Sequence, residues 1–318
     1  MSIFLKLKMS VSLLLNFIRQ LRIRPFFNNV EFLAVNTMIL FVKNKERFYK
    51  RKHELNTVLL KSRLIMPLAK DRMTSVKDYR IWTLWWQGEN LMPPIVRSTI
   101  QSIKQASDKE VILITKYNYD EYIKLPEQIR NKVGGGISYA HLSDYIRISL
   151  LDEYGGLWID STVLCSKKIP DEIYGMRFFT VKDERSSYKF QSRGRWNCQV
   201  FGSSMRHYGL FNILRQLMEN YWDKFDAAID YLFFDSLIDW VLEENDTIMK
   251  DLYDIHVNNT HMHELLGMIN MPYKDSLVKE WEKDTFLYKL TYKLNFMEQV
   301  NGADTFYKII IKHYCVDS

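Results

Sequence analysis

The sequence predicts an α/β fold: an open sheet with helices, preceded by a helical N-terminal extension and followed by a helix-rich C-terminal region. Three observations carry this. From residue 79 onward, short bulky apolar segments alternate with segments of helical period. A Gly-Gly pair, Gly155-Gly156, separates a long helix-period stretch from a short apolar one. The first 80 residues differ in charge from the rest, with 17 Lys or Arg against 5 Asp or Glu, in a chain whose net charge is only +6. At 318 residues and 47% hydrophobic content the chain can bury a large core, which excludes extensive disorder. Residues 1–78 read as a basic, amphipathic helical extension and residues 79–318 as the main domain with a helical C-terminal part.

The extension holds two apolar runs, 11–18 and 32–42. Neither approaches the ~20 apolar residues a membrane-spanning helix needs, so none is expected. Lys6 and Lys8 precede the first run as they would in a secretion signal, but Arg19-Gln20-Leu21-Arg22 replaces the small-residue cleavage site, and secretion is discounted. Two readings remain open. Residues 1–52 could lie on an anionic membrane surface, with Lys and Arg at the headgroups and Leu and Phe inserted. They could instead form a solvated basic helix packed on the main domain. The cluster Lys43, Lys45, Arg47, Lys50, Arg51 and Lys52 would suit a phosphate polymer, yet no zinc knuckle, RNP motif or helix-turn-helix accompanies it. Nucleic acid is not an expected partner. Cys165, Cys198 and Cys315 show no CxxC pairing and read as buried thiols of a reducing compartment, which places the chain in the cytoplasm, peripheral at the inner face of the cell membrane if the first reading of the extension holds.

Residues 81–86 (Ile-Trp-Thr-Leu-Trp-Trp) read as a first strand ending at Gln87-Gly88. Pro93-Pro94 opens a helix through Gln105, because proline suits the first helical position, and residues 111–115 form a second strand. Loops of such a strand-helix-strand unit are open to a ligand. Trp82, Trp85 and Trp86 could stack on a base or sugar face, or be core. A short helix around 121–131 leads to Gly134-Gly135-Gly136, which lacks the Lys-Ser/Thr ending of a P-loop and reads as a flexible connector. Further strands are expected at 177–181 and 199–201, and helices near 207–221 and 227–243. The C-terminal third, including 253–263 and the aromatic run 286–292, looks helical and irregular and would cover the cleft.

The stretch between these elements carries the chemistry. Ala140-His141-Leu142-Ser143-Asp144-Tyr145-Ile146-Arg147 begins a helix free of Gly and Pro to Tyr154, and its His141, Asp144 and Arg147 are spaced three apart, on one stripe. After Gly155-Gly156, Leu157-Trp158-Ile159 is bulky enough for a central strand and delivers Asp160 to the carboxyl edge, where open α/β sheets bind ligands. Asp144 and Arg147 alone would be an ordinary i,i+3 ion pair, and Asp160 alone an ordinary turn residue. The joint spacing favours a site.

The block 140–162 resembles the donor-binding core of sugar transferases with the GT-A fold, especially capsular polysaccharide synthesis proteins and related DXD-type transferases of the glycosyltransferase family 32 kind, including the glucosylating clostridial toxins. The resemblance extends more loosely over 81–170 and faintly into 285–293. It implies a GT-A-like (Rossmann-like) nucleotide-sugar-binding domain and a hexosyltransferase that retains configuration and extends a capsular, other surface polysaccharide or lipid-linked glycan. It assigns Asp144 and Arg147 to hydroxyls of the donor sugar, and Asp160, as first acid of the Asp-x-Asp motif, to the ribose and a metal. It also implies that Gln87 and Gly88 approach the base and ribose. His141, Ser143, Thr162 and Asn197 complete the substrate-binding candidates, with Gln199 beside Asn197.

The second motif acid is Thr162 here. A divalent cation (Mn²⁺ or Mg²⁺) prefers carboxylate ligands, so its affinity should fall unless Asp235, Asp304, His261 or His263 compensates. Transfer from a nucleotide-sugar leaves negative charge on a departing diphosphate, which a metal or Lys and Arg groups can stabilise. Two other readings compete: a non-catalytic glycan-binding scaffold of a polysaccharide assembly complex, and a haloacid-dehalogenase-type phosphatase, whose Asp-x-Asp-x-Thr opening Ile159-Asp160-Ser161-Thr162 partly matches.

Overall fold

The computed structural model describes residues 3–23, 26–69, 72–183 and 185–315, with the side chains of residues 3–8, 10 and 26–27 excepted. Lys6 and Lys8 therefore lie outside the described side chains.

The two apolar runs fall in helices α1 (Ile3–Gln20) and α2 (Phe26–Phe41), which form an antiparallel hairpin clasped by Asn29 Nδ2 donating to the Phe17 carbonyl at 2.9 Å. α3 (Glu46–Arg63) buries Leu55, Leu59 and Leu60 on one side, as their spacing of four and five residues allows. These helices pack onto the following chain: Ile23, Leu59, Leu60 and Leu64 join the core that holds Phe233 and Leu237, Gln20 Nε2 donates to the Ala228 carbonyl at 2.6 Å, and Lys52 meets Asp230 at 2.8 Å. Among the described residues no helix is long and apolar enough to cross a membrane.

β1 (Thr74–Ser75) pairs with residues 205–206 and leads into β2 (Arg80–Leu84). Then come α4 (Pro94–Gln105), β3 (Glu110–Ile114), α5 (Glu127–Arg130), α6 (Tyr139–Tyr154), β4 (Gly156–Ile159), β5 (Val163–Cys165), β6 (Phe179–Thr180), β7 (Val200–Ser203) and β8 (Met205–Arg206). The fold is mixed α/β, with a five-stranded sheet in the order β3-β2-β4-β7-β6. β2 runs parallel to both β3 and β4, whereas β7 is antiparallel to β4 and to β6. From β2 the chain turns to one side to add β3 and then crosses to the other to add β4. Strand order therefore reverses between β2 and β4, and the carboxyl ends of these strands are where open α/β sheets bind ligands.

Alternation along the strands divides the core between two faces. Trp82, Trp158 and Phe201 are register partners across β2, β4 and β7 and pack with Tyr145 and Ile148 of α6. α7 (Gly209–Lys224) and α8 (Phe233–Glu243) complete that layer through Phe211, Leu214, Phe233 and Leu237. Ile81, Leu157, Ile159 and Val200 face the other way, toward Ile103 of α4. Beyond α9 (Asp246–Tyr253), α10 (Glu264–Met268) and α11 (Asp275–Trp281), β9 (Leu287–Lys289) returns to pair antiparallel with β5. A hairpin of β10 (Gln299–Val300) and β11 (Ala303–Asp304) precedes α12 (Phe306–Tyr314), which packs against α4.

Four expectations need correction. Residues 121–131 hold one helical turn, α5, because Pro126 interrupts the segment ahead of it. Residues 227–232 are turn rather than helix, with α8 starting at Phe233. Gly134-Gly135-Gly136 is no loose connector: Gly134 N donates to the Ile137 carbonyl at 2.9 Å, and a Cβ on Gly136 would lie 1.8 Å from the Asp226 carbonyl oxygen. The run 286–292 contains a strand, because pairing with β5 overrides any local helical preference.

Candidate functional site

The helix that carries the site starts at Ser138, whose hydroxyl accepts from the His141 backbone N–H at 3.2 Å. It ends at Gly155 and Gly156, with φ of +66° and +93°. Such backbone favours glycine, and Gly156 has a second reason: a Cβ there would lie 2.3 Å from the Arg80 carbonyl oxygen. The close approach lets β4 pair beside β2. It also sets Asp160 at the carboxyl end of β4, where its N–H donates to the Gln199 carbonyl at 2.9 Å.

Asp144, Arg147 and Asp160 meet. Arg147 Nη2 donates to Asp160 Oδ1 at 3.1 Å, and Arg147 Nη1 lies 3.2 Å from Asp144 Oδ1. The first contact is a hydrogen bond; the second is a charge contact, with Nη1 and Nε lacking aligned acceptors. The Arg147 side chain is 5% exposed, its guanidinium over the rings of Trp158 and Phe234 at 5.0 and 5.6 Å. Trp158 Nε1 also donates to Asp160 Oδ1, at 2.8 Å.

Asp160 has a fourth partner that sequence reasoning missed. Lys289 Nζ donates to Asp160 Oδ2 at 3.0 Å and to Thr162 Oγ1 at 2.6 Å. Register fixes the lysine there, since Lys289 is paired with Val163 and the Leu290 N–H donates to the Thr162 carbonyl at 2.8 Å. The only trace of this in the sequence is the alternation Leu287-Tyr288-Lys289-Leu290.

The carboxyls around Arg147 are electrostatically unequal. Burial acts to raise Asp160, but Lys289, Arg147 and the Trp158 hydrogen bond outweigh it and hold this carboxyl below its ordinary value. Burial pushes Asp144 up to about 7, only partly opposed by the charge of Arg147, whose hydrogen bond goes to Asp160. Asp235 at the start of α8 is pushed up to about 6 by burial, against the Trp196 Nε1 donor at 3.3 Å and Arg147. The Cys198 thiol is raised by burial and by Asp235. The site thus combines an ionised Asp160, two fixed cations, and two carboxyls near neutrality able to donate to or accept from hydroxyl groups.

The remaining candidates divide. His141 does not join the ion pairs: its ring packs against Trp222 and Phe233, Nε2 lies 3.4 Å from the Tyr231 carbonyl, and burial lowers its basicity. Tyr231 links the two regions, being 78% exposed and within electrostatic reach of Asp144 and Asp160. Ser143 is half-buried on the helix beside Asp144. Asn197 is tied into its own turn, its Oδ1 accepting from the Gln199 N–H at 2.9 Å, while Gln199 Oε1 is buried without a hydrogen-bond partner. Gln87 is exposed just beyond β2, and Gly88 stands with φ +90° against the Tyr117 ring. Trp82 is core, donating to the Gly155 carbonyl at 2.9 Å, and Trp85 is buried edge-on to Tyr292. Trp86 is half-buried and neighbours Tyr119 and Tyr139.

A divalent cation does not fit these residues well. Among the described residues no group of three or more His, Cys, Asp or Glu is placed to hold a metal ion. Both Asp160 oxygens already accept from cations. Asp304 accepts from Gln299 in the β10–β11 hairpin, and His261 stacks on Trp281. His263 is pushed down to about 4 by burial and by Arg185, with Lys289 adding to the effect.

Comparison with known proteins gives one family. The sequence profile described as "Capsular polysaccharide synthesis protein" matches residues 36–310. No curated protein sequence matches the chain. Solved structures that resemble it at low identity include two glycosyltransferases. The PaToxG glycosyltransferase aligns with a TM-score of 0.36 at 10% identity, over 73% of this chain and 84% of that one. The bifunctional glycosyltransferase WbbM, in its apo structure, aligns with a TM-score of 0.42 at 9% identity, over 92% of this chain and 63% of that one.

Proposed function

The chain belongs to the capsular polysaccharide synthesis protein family, and we propose that it acts there as a GT-A-like glycosyltransferase, moving a sugar from a nucleotide-sugar donor to a growing capsular or other surface polysaccharide, with retention of configuration. One observation carries this reading. Asp144, Arg147 and Asp160 converge at the carboxyl end of β4, beside the point between β2 and β4 where strand order reverses. The nucleotide would lie along the carboxyl edge toward Gln87 and Gly88, and the sugar against α6, its hydroxyls held by Asp144 and the unaligned donors of Arg147. Positioning of this kind is worth several kcal/mol of a reaction barrier.

The screen that tests it offers a panel of nucleotide-sugars, with and without Mn²⁺, and measures nucleoside-diphosphate release by wild type and Asp160→Ala. Release by wild type alone is expected. Equal release by both proteins would remove the mechanism, and glycan binding without consumption of any donor would favour the scaffold reading.

We also place the extension on an anionic membrane surface at the cytoplasmic face. Val11, Leu14, Leu15 and Ile18 follow the i, i+3, i+4, i+7 pattern and are each 53–64% exposed, so one face of α1 is an uncovered apolar stripe, with Arg19 and Arg22 following it.

A further inference from the structure

We propose that the ammonium group of Lys289 takes the place of a divalent cation at the donor's diphosphate, so that this site binds nucleoside diphosphate without metal. The inference rests on the glycosyltransferase reading and names the device that stabilises its leaving group.

Four observations lead there. The position that would supply a second acid is Thr162, a neutral hydroxyl, and that hydroxyl accepts from Lys289 at 2.6 Å. Asp160 has both oxygens engaged, Oδ1 by Arg147 and Trp158 and Oδ2 by Lys289. A dication added beside Asp160 would sit next to two fixed positive charges, and repulsion from them opposes its entry. The lysine is built in rather than a stray surface chain: β9 holds it by strand pairing opposite Val163, its backbone N–H donates to the Met262 carbonyl at 2.7 Å, and its side chain is 19% exposed.

An ammonium has three donors. Asp160 and Thr162 take two, which leaves the third for a phosphate oxygen. In the transfer, the bond from the anomeric carbon to the diphosphate oxygen breaks and its electron pair stays on that oxygen. The acceptor hydroxyl oxygen bonds to the anomeric carbon, and its proton leaves to the departing diphosphate or to solvent. Lys289 keeps its proton throughout and offsets the charge that builds on the diphosphate. A fixed donor of this kind typically changes the rate by roughly 10²–10³-fold.

Calorimetric titration of the full chain with UDP, GDP, ADP and dTDP, in EDTA and in Mn²⁺, tests the proposal. Wild type should bind one of them equally well under both conditions. Lys289→Ala should bind it roughly tenfold or more weakly in EDTA while its melting temperature shows it folded, and Lys289→Arg should keep the binding. Thr162→Asp combined with Lys289→Ala restores a paired-acid motif and should bind only when Mn²⁺ is present. Wild-type binding that requires Mn²⁺, or Lys289→Ala binding like wild type in EDTA, would overturn the proposal while leaving the transferase reading intact. Failure of the folded wild type to bind any of the four under either condition would take down the transferase reading and this inference together.

Discussion

At the scale of single residues, Arg147 is the pivot. It lies buried between carboxyls of α6 and the β4 edge, and nothing else on α6 neutralises Asp144. Removing one member of a buried charged group leaves the others uncompensated. Arg147→Ala is therefore expected to destabilise the fold by about 3–5 kcal/mol, seen as a drop in melting temperature of at least about 6 °C. Asp144 behaves in the opposite sense. Between the ordinary carboxyl value and about 7 the folded protein holds a proton that the unfolded chain has lost, so stability falls as pH rises through that window. Asp235 acts in the same direction up to about 6. The melting temperature of Asp144→Asn relative to wild type should thus climb from pH 4 to pH 7 and level off above it. A difference that stays flat across this range would mean that Asp144 is ionised throughout.

At the scale of elements, Gly156 decides whether β4 can lie beside β2. An alanine there meets the Arg80 carbonyl and must adopt φ near +93°. Gly156→Ala should cost about 2 kcal/mol or more, measured as a lower urea midpoint, whereas Gly175→Ala, where the added methyl meets nothing within 4 Å, should shift it little. The helix of Asp144 and Arg147, the glycine pair and the strand tip at Asp160 were legible because their signals are local: spacing of three, left-handed backbone, a bulky apolar run. Lys289 was not. Its position depends on strand pairing across more than a hundred residues, and no local pattern sets which stretch pairs with β5. The same reason explains why residues 286–292 lack a local strand signal, and why spacing alone groups His141 with Asp144 although its ring belongs to the Trp222 and Phe233 packing.

At the scale of the whole molecule, charge is segregated. The helices of the basic N-terminal region, α1 to α3, meet the following chain through α3 against α8, the helix that also carries Asp235 and Phe234 of the site. If α1 lies on an anionic bilayer, vesicles containing phosphatidylserine should sediment the protein and phosphatidylcholine vesicles should not. Raising NaCl well above physiological strength should weaken that attachment, because screening shortens the reach of the basic residues. Leu15→Asp should release the protein at any salt concentration. Equal sedimentation with both lipids would sink the electrostatic part of this reading.

The pairing of β9 with β5 has a kinetic corollary. Arg147 and Asp160 are 13 residues apart and can find each other early, whereas Lys289 must close a loop of 129 residues to reach the same carboxylate. Contacts of such long separation form late, and chains of this size commonly pass through partly ordered species. On dilution from denaturant, helical signal should return well before affinity for nucleotide does, with a lag set by the arrival of one lysine.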